Sequence, residues 1–265
     1  NSLKCFAASA LGAVALLLSS PSAQAGADGA FLQGVALEDD TTNLKITTHK
    51  AVKWSSANLD PAVFEHPSGN PTRLKLKAAG DYFIAVTAPL IEGSGINGGK
   101  RSDQGYYVFK NGTIVAEGIT TCTYLRHADG HAESSGHIHF LLTGVAADDY
   151  VEVKTKRTSN SNTNNTTLQT TSLYVEKIAT SRTVFSGTAT RKVSGTNLNS
   201  GASGLQWTEG RKDSGFTHSD SSNSHEITLD AAGKYLVFAN VPFYGASTRG
   251  SVALEIKLNG SRITG

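Results

Sequence analysis

The sequence predicts an all-β protein made of tandem antiparallel β-sandwiches of the jelly-roll type, with the second one truncated. Three observations favour this fold class: apolar residues alternate with polar ones in many short segments, turn signals lie close together, and one long pattern occurs twice. No stretch shows sustained helical periodicity. About eight short strands in roughly 150 residues per copy are typical of a jelly roll.

The clearest pattern is residues 74–86, in which two alternating segments flank a turn at Gly80. Leu74 and Leu76 alternate with lysines, which is the period of a half-buried strand. Gly80 allows the backbone to turn, and an aromatic and β-branched run follows it. This segment therefore predicts two core strands joined by a tight turn.

The same pattern returns in residues 227–239, where Gly233 lies 153 positions after Gly80. The counterparts at this offset include Trp54 and Trp207, Leu76 and Leu229, Tyr82 and Tyr235, and Pro89 and Pro242. Asn111-Gly112 matches Asn259-Gly260 after a five-residue shortening. Because a Trp, a Pro and an Asn-Gly in register rarely coincide by chance, we interpret the pattern as an internal duplication.

We expect three parts in the chain: a signal peptide at residues 1–25, a first jelly-roll domain at residues 26–179, and a second, incomplete one at residues 180–265. The first part has a basic residue, a 12-residue apolar run and an Ala-x-Ala cleavage pattern ending at Ala25. That run is shorter than the about 20 residues needed to cross a bilayer. We therefore expect no membrane span in the mature chain, and a secreted, extracellular or cell-surface location.

The second copy stops before any counterpart of residues 118–178. Two explanations stay open: the printed chain is a fragment, or strands from another molecule complete the second unit.

Other elements follow from local patterns along the first copy. Alternation predicts strands at residues 44–48, 120–125, 137–142, 148–154 and 173–178, and a hairpin around Asn111-Gly112 at residues 106–115. Polar or Gly-rich stretches at residues 92–102 and 158–167 predict surface loops.

The charge balance argues against nucleic-acid binding, and the cysteine content is low. Lys and Arg number 24 against 22 Asp and Glu, with no basic or acidic block, so nucleic acid is not an expected partner. Cys122 is the one cysteine beyond the predicted signal peptide, and we interpret it as a small strand residue.

Four motifs occur in a fixed order. The first is a Gly-x-Tyr at residues 80–82 and 233–235, and the second is an apolar strand that leads into an Asn-Gly turn at residues 108–112 and 256–260. The third is a Ser-Gly step that leads into an apolar strand at residues 135–142. The fourth is an acidic turn before a valine-rich strand at residues 148–153. In this order the chain resembles the globular head of complement component 1q and the related tumour necrosis factor superfamily. The resemblance implies a ten-stranded jelly roll that forms homotrimers, binds ligands through surface loops and has no catalytic activity.

The chain departs from that family in two places. Leu173-Tyr174-Val175 stands where the family's final strand usually has Phe-x-Gly, and there is no collagen-like stalk. A stalk-directed complement function is therefore not expected.

A cluster of histidines is the candidate metal site: His127, His131, His137 and His139. On a strand, His137 and His139 would share one face, which suits two imidazole ligands of zinc. His127 and His131 would complete the site from the preceding loop. The alternatives are a polar outward face with a hydrated loop, or a pH-sensitive subunit interface. Calcium held by loop carboxylates is the other cofactor left open.

Common enzyme motifs are absent, or they lack the secondary structure that the motif requires. Residues 93–98 form a G-x-G-x-x-G with no helix predicted after it, so we interpret them as a loop. Neither Asp39-Asp40 nor Asp148-Asp149 can act as an acid–base pair by itself, because neighbouring strand residues face opposite sides.

The equivalent positions of Trp54 and Trp207 favour core packing over sugar stacking.

The sequence therefore predicts an exported, non-enzymatic recognition, adhesion or structural module of tandem TNF-like jelly rolls. We expect a homotrimer with a protein or glycan ligand on its surface loops. The alternative is a pair of carbohydrate-binding modules of a larger secreted enzyme, which a face with several exposed aromatic side chains would favour. A metal-dependent enzyme built on the histidine cluster is the third hypothesis.

Overall fold

The computed structural model of the protein describes residues 28–92, 101–126, 133–158, 166–193, 203–239, 241 and 253–263. The predicted signal peptide, the G-x-G-x-x-G segment, His127 and His131 lie outside these ranges. Every regular element within them is a strand, which confirms the all-β prediction. None of the described residues belongs to a helix long and apolar enough to cross a membrane.

Thirteen strands belong to the first predicted unit, and six to the second. The first thirteen are β1 (Gly29–Gly34), β2 (Ala36–Leu37), β3 (Lys50–Lys53), β4 (Ser56–Leu59), β5 (Phe64–Glu65), β6 (Leu74–Leu76), β7 (Gly80–Glu92), β8 (Arg101–Lys110), β9 (Thr113–Arg126), β10 (Glu133–Val145), β11 (Asp149–Arg157), β12 (Thr166–Leu168) and β13 (Thr171–Lys177). The other six are β14 (Phe185–Lys192), β15 (Leu205–Lys212), β16 (Phe216–Thr217), β17 (Thr228–Leu229), β18 (Lys257–Leu258) and β19 (Ser261–Arg262).

The strand order of the first unit is that of a jelly roll. One antiparallel sheet has the order β10-β7-β13-β1-β4, and the other contains β2-β3-β11-β8-β9. If the eight principal strands β1, β3, β7, β8, β9, β10, β11 and β13 are numbered one to eight, the two sheets have the orders 1-8-3-6 and 2-7-4-5. Two interlocked Greek keys produce this order. With β12 paired to β7, and with β5 and β6 joined to the second sheet through β11, the sheets have six and seven strands, which is more than the ten that the resemblance implies.

The core lies between the two sheets, as the alternation predicts. In β7 and β13, every second side chain is buried and its neighbours are half-buried. Trp54 is 2% exposed, and its indole N–H donates a hydrogen bond to the Thr72 carbonyl oxygen at 3.1 Å. The core-packing interpretation of Trp54 is therefore correct. The principal core side chains include Leu32, Leu74, Leu76, Tyr82, Ile84, Val86, Tyr106, Val108, Ile138, Val151, Val153, Leu173 and Val175.

The hairpin predicted at residues 106–115 is present as β8 and β9. Asn111 has φ of 50° and Gly112 has φ of 80°. Two consecutive positive φ values are what a two-residue hairpin turn of the I′ type requires. Asn and Gly tolerate this region of φ with the least strain.

The prediction of a first strand at residues 44–48 is wrong, because none of these residues belongs to a strand. The first strand of the unit is β1. The segment crosses the end of the sandwich instead: the Leu44 N–H donates to Thr166 O of the first sheet at 2.9 Å. The Ile46 carbonyl oxygen accepts the Arg157 N–H of the second sheet at 2.7 Å. Because its hydrogen bonds go to both sheets, the segment cannot lie along either one.

The second unit is built differently from the first within the described residues. Its strands form three two-stranded sheets, β14–β15, β16–β17 and β18–β19. The strand that the repeat predicts at residues 234–239 is not formed. Its counterpart in the first unit, β7, lies between β10 and β13, and both partners contribute backbone hydrogen bonds. The described part of the second unit has no counterpart of either partner.

Several local contacts nevertheless occur in both units. Two pairs of polar bonds stand at matched positions: Trp54 N to Pro71 O and Trp207 N to Ser224 O (both 2.8 Å), and Tyr82 Oη to Ala78 O and Tyr235 Oη to Ala231 O (both 2.5 Å). A histidine also contacts the same carbonyl oxygen in each unit, His66 Nε2 to Pro71 O and His218 Nε2 to Ser224 O (both 3.2 Å), although His218 lies one position before the counterpart of His66. The second Asn-Gly turn also repeats the first, since Asn259 has φ of 50° and Gly260 has φ of 78°.

Candidate binding face

The outward side of the first sheet has a row of large side chains. The register places His139 beside Ala85, Ala85 beside Tyr174, Tyr174 beside Phe31 and Phe31 beside Asn58. The row crosses all five strands from β10 to β4. Because side chains alternate along a strand, these residues point away from the core that their neighbours fill.

We call this surface the aromatic face and define it by Phe31, Phe83, His137, His139 and Tyr174. The planes of His137 and His139 are inclined by only 10°, with ring centroids 6.4 Å apart. Phe83 is similarly parallel to His139, at 6.4 Å and 7°. All of these side chains are half-buried except His137, which is exposed. His137, His139 and Phe83 thus form a group of nearly parallel rings on the β7–β10 side of the face.

The two histidines lie at the β10 edge of the aromatic face. Desolvation by the surrounding protein lowers the pKa of His137, and it lowers the pKa of His139 together with the nearby His137. The Nδ1 atom of His137 lies 3.4 Å from the Thr87 hydroxyl oxygen. Both imidazoles are therefore neutral at pH 7 and add to the apolar character of the face.

An ion pair lies on the face itself, because Glu176 of β13 stands beside Phe83 of β7 in the register. The Tyr174 hydroxyl donates to Glu176 Oε2 at 2.9 Å, and Arg182 binds the other oxygen of this carboxylate at 2.5 Å. Burial, and the negative charge of Glu176, raise the pKa of Tyr174. Tyr174 therefore stays protonated, with its hydroxyl directed to Glu176 and its ring on the face.

The second unit contacts one side of the face. Phe238 lies 4.2 Å from Phe83 and 5.6 Å from His139, measured between ring centroids. Arg211 forms ion pairs with Asp81 of the first unit and with Asp213 of its own unit. These contacts cover the β7–β10 side of the face, whereas Tyr174 and Phe31 lie on the β13–β1 side.

The structure brings together two of the four predicted metal ligands. His137 and His139 share the outward side of β10, as predicted, and His127 and His131 lie outside the described residues. Among the residues that the structure describes, no three His, Cys, Asp or Glu side chains are grouped to hold a metal ion. The zinc site stays a prediction, and so does the binding of calcium by loop carboxylates.

The adjacent acidic residues each have a partner of their own. Asp39 pairs with Lys50 and Asp40 pairs with Lys53. In the other pair, Asp148 Oδ1 lies 2.9 Å from Lys75 Nζ, and Asp149 Oδ1 accepts a hydrogen bond from Asn111 at 2.6 Å. The carboxylates thus hold turns and strand edges.

Sequence reasoning missed the aromatic side chains of this face. Phe83 and Tyr174 were recognised as strand residues, but their outward position follows only from the alternation with Ile84 and Val175, which are buried. Phe31 lies in a stretch that was not expected to form a strand. The alternation of Ala30, Phe31 and Leu32 could have indicated a strand there. It does not indicate which of these side chains face the core.

Comparisons with known proteins give only distant similarity. No family model matches the chain, and no curated protein matches it. The chain is similar to crystal structures of murine APRIL at pH 8.5, pH 8.0 and pH 5.0, with 15%, 14% and 13% sequence identity and TM-scores of 0.32, 0.32 and 0.30. Each alignment covers 56% of this chain and 98% of the other. At such TM-scores the jelly-roll assignment rests on the strand order described above.

Proposed function

We propose that the protein is an exported, non-enzymatic recognition or adhesion module whose first jelly roll assembles as a homotrimer. The observation that carries this proposal is the aromatic face. Half-buried rings on the outward side of a sheet, with two histidines at the β10 edge and the Glu176–Arg182 ion pair beside Phe83, combine apolar and polar groups as protein–protein interfaces do. The resemblance to the tumour necrosis factor superfamily adds the expectation of threefold symmetry.

The proposed contact uses the β13–β1 side of the aromatic face, around Tyr174 and Phe31. Phe238 of the same chain occupies the other side. A second subunit can therefore approach Tyr174 and Phe31 without displacing Phe238. The surface loops at the ends of the sandwich are the proposed site for a protein or glycan ligand.

We further propose that the two units derive from one duplicated jelly roll. The support comes from the matched bonds of Trp54 and Trp207 and of Tyr82 and Tyr235, which have equal lengths in the two units. A signal pattern in residues 1–25 supports export.

Light scattering on the purified chain tests the assembly. We expect a trimeric mass for the unaltered protein and a monomeric mass for Phe31→Arg, because a cation buried in an apolar interface costs several kcal/mol. Val35→Arg is the matched control, since Val35 is 48% exposed and lies just beyond β1. A monomeric mass for the unaltered chain would refute the homotrimer.

A pair of carbohydrate-binding modules is the second candidate, and the outward rings of Phe31 and Tyr174 favour it. Aromatic rings on a sheet surface can stack on sugar rings. A monomeric protein that binds a glycan array, and loses that binding in Phe31→Arg, would place this candidate first.

A further inference from the structure

The outward side of the second sheet of the first unit carries aromatic rings beneath cationic side chains. Tyr107 and Phe109 of β8 point away from the core, because their neighbours Tyr106 and Val108 are fully buried in it. In the register of β8 with β11, Lys154 stands beside Tyr107. This surface lies on the side of the sandwich opposite the aromatic face.

Three cations follow one another along this surface, each over an aromatic ring. The distances to the ring centroids are 4.1 Å from Arg73 Cζ to Tyr150, 4.8 Å from Lys154 Nζ to Phe109, and 5.7 Å from Lys156 Nζ to Tyr107. We call Arg73, Lys154 and Lys156 the basic row. A ring beneath a cation attracts it without neutralising its charge. The cations are therefore held at the surface with their charge still available to a ligand.

The basic row has more positive charge than its neighbours neutralise. Glu152 is the one carboxylate in the outward positions of β11, and it is 5% exposed. Its oxygens lie 3.1 Å from Lys154 Nζ and 3.6 Å from Arg73 Nε, so one carboxylate serves two cations. Lys156 contacts the Tyr107 ring, and no carboxylate of the described residues pairs with it. The basic row thus leaves a positive charge without a counterion.

His49 lies beside the basic row and adds an unpaired polar atom. Its ring meets the rings of Tyr107 and Phe109 edge-on, at centroid distances of 4.6 Å and 5.2 Å. Desolvation, and the charges of Lys156 and Lys154, lower the pKa of His49, so the imidazole is neutral at pH 7. Its Nε2 atom is buried and has no hydrogen-bond partner among the described residues. The polar groups at this place therefore lack an anionic partner.

Exposed isoleucines lie on the other side of the two rings. β9 pairs with β8 so that Ile114 stands beside Phe109 and Ile119 stands beside Tyr107. Ile114 is 38% exposed and Ile119 is 39% exposed. Because β8 lies between β9 and β11, the isoleucines are two strand spacings, or about 10 Å, from the lysines. A ligand therefore meets a positive strip and an apolar strip side by side.

We propose that this surface binds an acidic amphipathic polypeptide segment of a partner protein, whose carboxylates pair with Lys154 and Lys156 and whose apolar side chains pack on Ile114 and Ile119. An α-helix with its side chains is about 10–12 Å wide, so adjacent faces of one helix can contact both strips. The inference rests on the recognition role under the proposed function, and it adds a ligand site away from the surface loops.

The exposed isoleucines favour a polypeptide over an anionic polysaccharide. Aliphatic side chains offer no hydrogen-bonding group, and a hydroxyl that leaves water without a new hydrogen bond loses free energy. Leucine or valine side chains of a polypeptide gain free energy when they cover Ile114 and Ile119. Charge selects an acidic ligand, and the apolar strip selects one with apolar side chains.

Fluorescence anisotropy with a synthetic peptide tests the proposal. The probe is a fluorescein-labelled peptide of repeated Glu-Glu-Leu-Leu, which places acidic and apolar side chains on adjacent faces of a helix. We expect saturable binding to the full chain, weakened about tenfold in Lys156→Glu, because attraction is replaced by repulsion. Lys234→Glu is the matched control, since it makes the same change at an exposed lysine of the second unit. Ile119→Ser should also weaken binding, without any change in charge.

Proton NMR shows where the peptide binds. The imidazole resonances of His49 should shift on binding, because the ligand approaches the lysines around this ring. The resonances of His137 and His139 should stay in place, since these side chains lie on the opposite side of the sandwich. A shift at His137 and His139 with none at His49 would place the peptide on the aromatic face and overturn the proposal.

Three results of the anisotropy measurement would also overturn it. The first is the absence of saturable binding. The second is an equal loss in Lys156→Glu and Lys234→Glu, which would mean general attraction between charges. The third is binding of dextran sulfate but not of the peptide, which would make an anionic polysaccharide the occupant. Phe31→Arg removes the proposed trimer contact and should still bind the peptide, so this site and the homotrimer can fail independently.

Discussion

Phe238 of the second unit stacks on Phe83 of the first, with ring centroids 4.2 Å apart and planes inclined by 29°. Phe238 corresponds in the repeat to Ala85, which is an outward position of β7. The two segments that the repeat matches therefore contact one another through this stack.

The contact between Phe238 and His139 predicts how the pKa of His139 depends on Phe238. Phe238→Ala should raise the pKa of His139 towards its ordinary value, because the ring contributes to the desolvation that lowers it. Proton NMR titration of the imidazole measures the change. Leu236→Ala is the matched control, since Leu236 is 76% exposed and two residues away. An unchanged pKa in Phe238→Ala would show that the stack does not persist in solution.

The matched tyrosines predict a difference in stability between the two units. Burial raises the pKa of Tyr82 to about 12, so its hydroxyl stays a donor to Ala78 O. We expect Tyr82→Phe to lower the free energy of unfolding by about 1 kcal/mol. Tyr235→Phe removes the same bond at an exposed position and should cost less. Urea denaturation measures both, and an equal loss would contradict the structure.

The depressed pKa values of His137 and His139 predict a loss of stability in mild acid. In the unfolded chain each imidazole has its ordinary pKa of 6.5, so the unfolded state binds protons first as the pH falls. The stabilisation is present above about pH 6.5 and decreases below it. The melting temperature measured between about pH 7.5 and pH 5 should fall, and His139→Gln should make the fall smaller.

Substitution of a histidine elsewhere provides the control for this pH dependence. His225→Gln changes a histidine that lies outside the aromatic face, and its slope is compared with that of His139→Gln. If His225→Gln and His139→Gln reduced the slope equally, the aromatic face would not be its source.

The metal hypothesis predicts stabilisation by zinc. If His127, His131, His137 and His139 form one site, zinc at about 100 times its dissociation constant should stabilise the chain by about 2.7 kcal/mol. Differential scanning calorimetry at pH 7.5 measures this as a rise in melting temperature. The paired variant His137→Gln with His139→Gln should lose the rise, and no rise in the unaltered chain would exclude the site.

Much of the fold was predictable because it depends on local patterns. Alternation placed the central strands around Ile84, Val108, Val151 and Val175, and Asn111-Gly112 set the hairpin through its positive φ values. The segment around Leu44 was predicted as a strand and is not one. Alternation over a few residues cannot distinguish a strand from a segment whose hydrogen bonds go to two sheets.

The candidate site was predictable only in part. The shared face of His137 and His139 followed from the period of two along a strand. Their neighbours Phe31, Phe83 and Tyr174 come from strands far apart in the sequence, and only the register of the sheet places them side by side. The stack with Phe238 is still less local, since it joins the two units.

The printed residues were thus sufficient for the all-β class and the outline of the first core, because these depend on side-chain period and backbone freedom at single turns. The tertiary structure decided which sheet side is covered and which is open. That difference depends on which distant strands pair, and so the same apolar pattern is buried at Ile84 and exposed at Val237.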